Sequence, residues 1–152
     1  MKVTREIDIE PKYYFNHLCN RAIKDIKKAT NKKINIDELM DGYKYQRTVS
    51  MKNNKIHINF EVGPLIKDKY FEVKYETEET KCLYYYDFSY INEKYYVTYS
   101  EDNSYKKHSL GNSLSDFRRQ LFQNKLKRNI FNNIEMTLNY IKENELENKN
   151  NG

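Results

Sequence analysis

The period of the apolar positions changes along this chain, and each change marks an element. In "KVTREIDI", Val3, Ile7 and Ile9 alternate with Lys2, Thr4, Glu6 and Asp8, the two-residue period of a half-buried strand. Pro11 ends it and opens a helix, because a proline at the first helical position lacks only an N–H that would have no partner there. Tyr14, Phe15, Leu18, Cys19, Ala22, Ile23 and Ile26 then recur at three- and four-residue spacing, leaving Lys12, Asn16, Asn20, Lys24 and Lys27 to face water. The polar stretch "KKATNKK" closes this helix, and "NIDELMDG" predicts a second, short one that Gly42 terminates.

Five alternating segments follow: "YKYQRTVSM", "KIHINFEV", "KYFEVKYET", "KCLYYYDFSY" and "KYYVTYS". Their connections, "KNN", "GPLIKD", "EET" and "INE", are short and rich in turn formers, so the strands form an antiparallel meander. From "GNSLSDF" onward the period becomes helical. Leu114, Phe117, Leu121, Phe122, Leu126, Ile130, Ile134, Leu138 and Ile141 mark one face of a helix of about eight turns. Ser113 and Asp116 form a capping pair at its start. The pattern is that of one domain over residues 1–143, followed by a frayed polar tail over 144–152 with nothing to bury.

Composition narrows the functional classes. The chain has 152 residues, 38% hydrophobic and 32% charged, which suits one folded domain with a wet surface, and 14% aromatic content argues against disorder. Abundant Lys, Asn, Ile and Tyr are also what an AT-rich genome imposes, so part of the tyrosine excess is compositional. The net charge of +5 favours anions but is scattered rather than gathered into a run, and no aromatic-plus-arginine pattern of an RNA module is present, which argues against a nucleic-acid partner. The N-terminus lacks an apolar signal core, and no run of about eighteen apolar residues could span a bilayer. With Cys19 and Cys82 in apolar rows and no CxxC, the expected compartment is the cytoplasm.

The order strand, helix, short helix, meander and long closing helix resembles the START-like or helix-grip superfamily of the birch-pollen allergen and the polyketide cyclases. Within it the chain is similar to an uncharacterised domain family of low-GC Gram-positive bacteria. "IDIEPKYYFNHL", "DIKKATNKKI" and "DELMDGYKYQRT" carry the resemblance, with the tyrosine-bearing hairpin and "DFRRQLFQNKLKRNIF" after them. Asn31 departs from it where glycine would be expected, although asparagine also adopts positive φ. The resemblance implies an α+β fold, a curved antiparallel sheet of about six strands wrapped around a long C-terminal helix, with one medium and one short helix between strands 1 and 2. It brings no catalytic residue and no cofactor. What it implies functionally is a possible cavity between the sheet and the C-terminal helix.

The tyrosine-rich hairpin supplies candidate walls for such a cavity. With "INEK" as the turn, Tyr90 faces Tyr95, Phe88 faces Val97 and Tyr86 faces Tyr99, all on one side, while Tyr85, Asp87 and Ser89 face Ser100, Thr98 and Tyr96 on the other. Phe71, Val73 and Tyr75, then Ile56, Ile58 and Phe60, continue the apolar side on the preceding strands. These rings either fill the core or line a ligand pocket whose phenols point inward. Arg5 and Arg47 interrupt apolar rows, so each must pair with an acid, lie at the rim, or anchor an anionic head group. The candidate ligand residues are therefore Arg47, Phe60, Tyr75, Tyr86, Phe88, Tyr95 and Tyr99.

Other groups read more simply. His17, His57 and His108 have no metal-ligand spacing, Glu72, Glu76, Glu78 and Glu79 belong to a wet face or a turn, and no phosphate-binding loop occurs. Arg118, Arg119, Lys125, Lys127 and Arg128 form the solvated face of the long helix. The expected function is binding of an apolar or amphipathic small molecule without a cofactor, the alternatives being a cavity-shaping enzyme of the cyclase type and a regulatory protein-interaction module.

Overall fold

The computed structural model describes residues 1–105 and 114–146, and among these the side chains of all but 51, 105, 114–123, 145 and 146. Strand β1 (Lys2–Ile7) leads into α1 (Pro11–Thr30) and α2 (Ile36–Met40). A meander follows of β2 (Tyr43–Met51), β3 (Asn54–Ile66), β4 (Tyr70–Glu76), β5 (Thr80–Ile91) and β6 (Lys94–Tyr105). The chain closes with α3 (Leu114–Ile141), which runs into a π-helical turn, Lys142–Leu146. This is the α+β helix-grip arrangement expected from the pattern. His108 and the Ser113–Asp116 cap lie outside the described residues.

Local chemistry sets the helix ends. Pro11 occupies the first turn of α1, and Asn31, at φ 60°, ends it by donating its N–H to Lys27 O at 2.8 Å. Asparagine thus takes the left-handed position that glycine usually fills. Asn35 caps α2 by accepting from Glu38 N at 2.8 Å, and Gly42, at φ 93°, leaves it by donating to Leu39 O at 3.0 Å.

All neighbouring strands pair antiparallel in the order β1-β6-β5-β4-β3-β2. The two tight hairpins turn through Lys52–Asn53 and Asn92–Glu93, and all four residues have positive φ, the conformation that lets a two-residue turn match strand twist. Tyr86 pairs with Tyr99, Phe88 with Val97 and Tyr90 with Tyr95, the expected register.

Two boundaries differ from the pattern. "GPLIKD" is not wholly a connection, because β3 continues through Gly63 (φ 124°) and a cis Gly63–Pro64 peptide to Ile66, and one extra residue between Val62 and Leu65 makes a bulge. β6 runs past Ser100 to Tyr105 because its backbone keeps pairing with Thr80–Tyr84, which needs no apolar alternation. Glu72 also differs from its expected place on a wet face: only 8% is exposed. It accepts from Tyr70 Oη at 2.5 Å and pairs with Lys74 at 3.5 Å, while Tyr70 and Tyr85 stack at 5.4 Å and shield it.

The core joins all layers. Ile7 and Ile9, the α1 residues Tyr14, Phe15, Leu18 and Ile26, and Leu39 of α2 meet Val62, Phe71, Val73, Phe88 and Val97 of the sheet and Ile134, Leu138 and Ile141 of α3. Arg5 fastens β1 to α3 by stacking on Phe131 at 4.4 Å, pairing with Glu135 at 3.5 Å and donating to Phe131 O at 3.4 Å. Lys142 adds an ion pair to Asp8.

Candidate ligand-binding site

α1 crosses the inner face of the sheet without filling the space beneath it. Leu18, Arg21, Ala22 and Asp25, spaced three and four apart, share one flank of the helix and form the roof of a cavity of about 550 Å³. Its floor is Phe60 and Val62 of β3, Phe71 and Val73 of β4, and Tyr84 and Tyr86 of β5, with Tyr45 and Arg47 of β2 at one end and Tyr99 of β6 at the other. A smaller compartment of about 340 Å³ lies against α3, bounded by Tyr14, Ile130, Ile134 and Thr137. Arg21, Tyr86 and Tyr99 line both compartments and so mark their junction. The larger space therefore faces α1, and the smaller one reaches the C-terminal helix.

The aromatic walls form a continuous network. Tyr45 stacks on Phe60 at 4.9 Å with ring planes 10° apart, Phe60 meets Tyr75 at 5.8 Å, and Tyr75 meets Tyr84 at 6.4 Å. Tyr84 touches Tyr99 at 6.0 Å, and Tyr99 packs edge-on against Tyr86 at 5.0 Å. Contacts of this kind hold ring orientation, each contributing about 0.5–1.5 kcal/mol beyond area burial. Tyr86 is surrounded by Tyr14, Phe71, Tyr84 and Tyr99 yet remains only half-buried. What it leaves accessible faces the cavity.

Polar groups are placed sparingly. Asp25 accepts from Tyr45 Oη at 2.5 Å and from Arg47 Nη1 at 2.9 Å, so its two oxygens are each engaged. Among the described residues, the hydroxyls of Tyr84, Tyr86 and Tyr99 have no hydrogen-bond partner, and neither has the Arg21 guanidinium. Burial raises the hydroxyls of Tyr84, Tyr86 and Tyr99 well above the ordinary tyrosine range, with Arg21 opposing this at Tyr84 and Tyr86. They are neutral at any physiological pH and can donate. Arg21, Lys24, Lys28 and Arg47 make the lining basic, with Asp25 as its carboxylate.

The candidate residues named from the sequence divide between places. Arg47, Phe60, Tyr86 and Tyr99 come together at the larger cavity. Tyr75 lines instead an adjoining, more voluminous depression of about 810 Å³ with Cys82 and Leu83, bordering the first at Tyr45 and Phe60. Phe88 is buried against Tyr14 at 5.4 Å, and Tyr95 packs on Tyr90 at 4.9 Å near the hairpin tip. Arg21 and Asp25 went unnamed. The signal for them was present, since both follow Leu18 at helical spacing on the edge of the apolar stripe, but a charge on that edge reads by default as solvated.

The remaining reactive groups stay apart from this site. Cys19 and Cys82 are buried free thiols, each pushed up to about 11 by burial. His17 sits at 5.4 Å from the Tyr140 ring and is pushed down to about 4, by burial first and then by Arg21 and Lys24. Among the described residues no three His, Cys, Asp or Glu side chains gather as a metal site, and no helix is long and apolar enough to cross a membrane.

A family described as a domain of unknown function (DUF3284) matches residues 1–123. No curated protein matches the chain. Among solved structures, a protein of unknown function, SA2116 from Staphylococcus aureus, superposes with a TM-score of 0.61 at 12% identity, covering 97% of this chain and 94% of that one. TTHA0849 from Thermus thermophilus gives 0.57 at 10% identity over 95% and 98% of the two chains. Ara h 8.0201 gives 0.54 at 8% identity over 95% and 97%. At such identities the likeness is one of fold alone, the helix-grip arrangement.

Proposed function

The chain belongs to the DUF3284 family of domains of unknown function, and for it we propose a cytoplasmic binding protein that takes an apolar or amphipathic small molecule into the space between the sheet and α1, without a cofactor. One observation carries this reading. Three tyrosines, Tyr84, Tyr86 and Tyr99, turn accessible ring surface and free hydroxyls into a cavity of about 550 Å³. A face selected only for packing would be covered by apolar side chains, because apolar ring surface left accessible to water forgoes the gain of burial. The volume lies within the roughly 300–1,000 Å³ usual for small-molecule sites.

Among the described residues the lining offers the enzyme alternative one carboxylate, Asp25, and no imidazole. Asp25 is taken up by Tyr45 and Arg47, and the phenols are held protonated, so binding rather than turnover fits the lining. Fluorescence of the neutral apolar probe N-phenyl-1-naphthylamine tests the proposal. Saturable enhancement is expected for the natural chain and is expected to disappear in Ala22→Phe and Val73→Phe, whose rings would occupy the cavity while circular dichroism stays native. No enhancement, together with no co-purifying molecule by native mass spectrometry, refutes it.

A further inference from the structure

We propose that the ligand of this cavity is an amphipathic monocarboxylate whose carboxylate is held at the junction of the two compartments by Arg21, with the hydroxyls of Tyr86 and Tyr99 completing the contact. The inference rests on the binding reading above and assigns the chemistry of the head group.

The argument begins with how the arginines are used. Arg5 is committed to Glu135 and the Phe131 ring, and Arg47 to Asp25. Arg21 lines both compartments and has no carboxylate or carbonyl partner among the described residues. Its charge is close enough to the phenols to oppose the upward shift at Tyr14, Tyr84 and Tyr86. Beside it, the rings of Tyr86 and Tyr99 meet at 5.0 Å, and their hydroxyls are free, neutral donors. One exposed cation and two neutral donors thus border the place where both spaces meet.

That set suits one negative charge spread over two oxygens. A guanidinium offers a planar fork matched to a carboxylate, whose remaining lone pairs accept from hydroxyls. A cationic head group would be repelled by Arg21, Lys24 and Lys28, and a neutral one would gain no charge-assisted contact from the exposed Arg21. A dianionic phosphate exceeds the single positive charge at the junction, since Lys24 and Lys28 line only the larger compartment. Glu101 acts electrostatically on Tyr86 and Tyr99, but it lines neither compartment and accepts from Asn103 and Cys82. From the junction, Phe60, Val62, Phe71 and Val73 lead away as apolar walls for a tail.

Displacement of bound N-phenyl-1-naphthylamine at neutral pH, in the 152-residue chain, tests the assignment with ligands of equal chain length. Dodecanoic acid is expected to displace the probe at a concentration at least tenfold lower than dodecan-1-ol. Arg21→Gln should bring the two together while the probe still binds, whereas Lys125→Gln, which removes an equal charge from the exposed side of α3, should leave the preference intact. Equal displacement by acid and alcohol in the natural chain overturns the carboxylate assignment and leaves the binding reading standing. A preference that survives Arg21→Gln, or that Lys125→Gln abolishes equally, overturns the role of Arg21. Stronger displacement by dodecyl phosphate than by dodecanoic acid overturns the monoanion. Failure of the natural chain to bind the probe at all refutes the binding reading itself.

Discussion

Asp25 makes two hydrogen bonds to groups of opposite character, and burial decides which matters. Its Oδ2 accepts from the half-buried Tyr45 hydroxyl at 2.5 Å, and its Oδ1 accepts from Arg47 Nη1 at 2.9 Å. The Arg47 side chain is 48% exposed against 28% for Asp25, so water and salt compete for that ion pair, which should contribute about 0.2–1 kcal/mol. A hydrogen bond from a shielded phenol to a carboxylate has less competition and should contribute about 1.5–3 kcal/mol. The neutral contact should therefore outweigh the ion pair. Urea unfolding of Asp25→Ala, Tyr45→Phe, Arg47→Ala and the two double variants that contain Asp25→Ala gives both coupling energies from the same reference. Adding about 1 M NaCl should erase the Arg47 coupling and leave the Tyr45 coupling nearly intact. An Arg47 coupling equal to or larger than that of Tyr45 would refute the reasoning.

Three further outcomes follow from the packing and the shifted titrations. Tyr14, 1% exposed, joins α1 to Phe88 of β5 and borders the compartment against α3, so Tyr14→Ala should destabilise by about 3–5 kcal/mol in urea unfolding and Tyr14→Phe by no more than about 1.5 kcal/mol. His17 titrates near 4 when folded and near its ordinary 6.5 when unfolded. Between those values the unfolded chain binds the extra proton, so stability should be full above about pH 6.5 and fall as pH drops toward 4. The loss should be on the order of 1–2 kcal/mol after allowing for partial solvent access, and His17→Phe should flatten that part of the stability profile. Cys19 and Cys82, buried and shifted to about 11, should resist a thiol reagent at pH 8 until urea unfolds the chain; labelling of either in the native protein would contradict their burial.

Much of the fold was legible because the signals are local. The alternation in "YYYDFSY" and "KYYVTYS" and the turn residues between them fix which side chains share a face, and the observed pairing of Tyr86 with Tyr99 follows from that parity alone. Pro11, Asn31 and Gly42 mark helix ends through their own backbone preferences, which do not depend on the rest of the molecule. The bulge at Val62–Leu65 was not legible, because glycine and proline punctuate a turn and a distorted strand in the same way. Neither was the burial of Glu72, which depends on Tyr70 and Tyr85 meeting across two strands.

The sequence by itself determined the elements, the ends of α1 and α2, the hairpin register and the presence of one aromatic face, since each depends on residues within a turn or two of one another. Only the tertiary structure decided whether that face encloses space, and where. A cavity is the difference between two surfaces brought together from distant parts of the chain, here the flank of α1 bearing Arg21 and Asp25 and the strands bearing Tyr84, Tyr86 and Tyr99. No periodicity records the distance between them. The same physics explains Arg21: from the helix pattern alone its charge belongs to solvent, and only the approach of the sheet sets that exposed guanidinium at the border of both compartments.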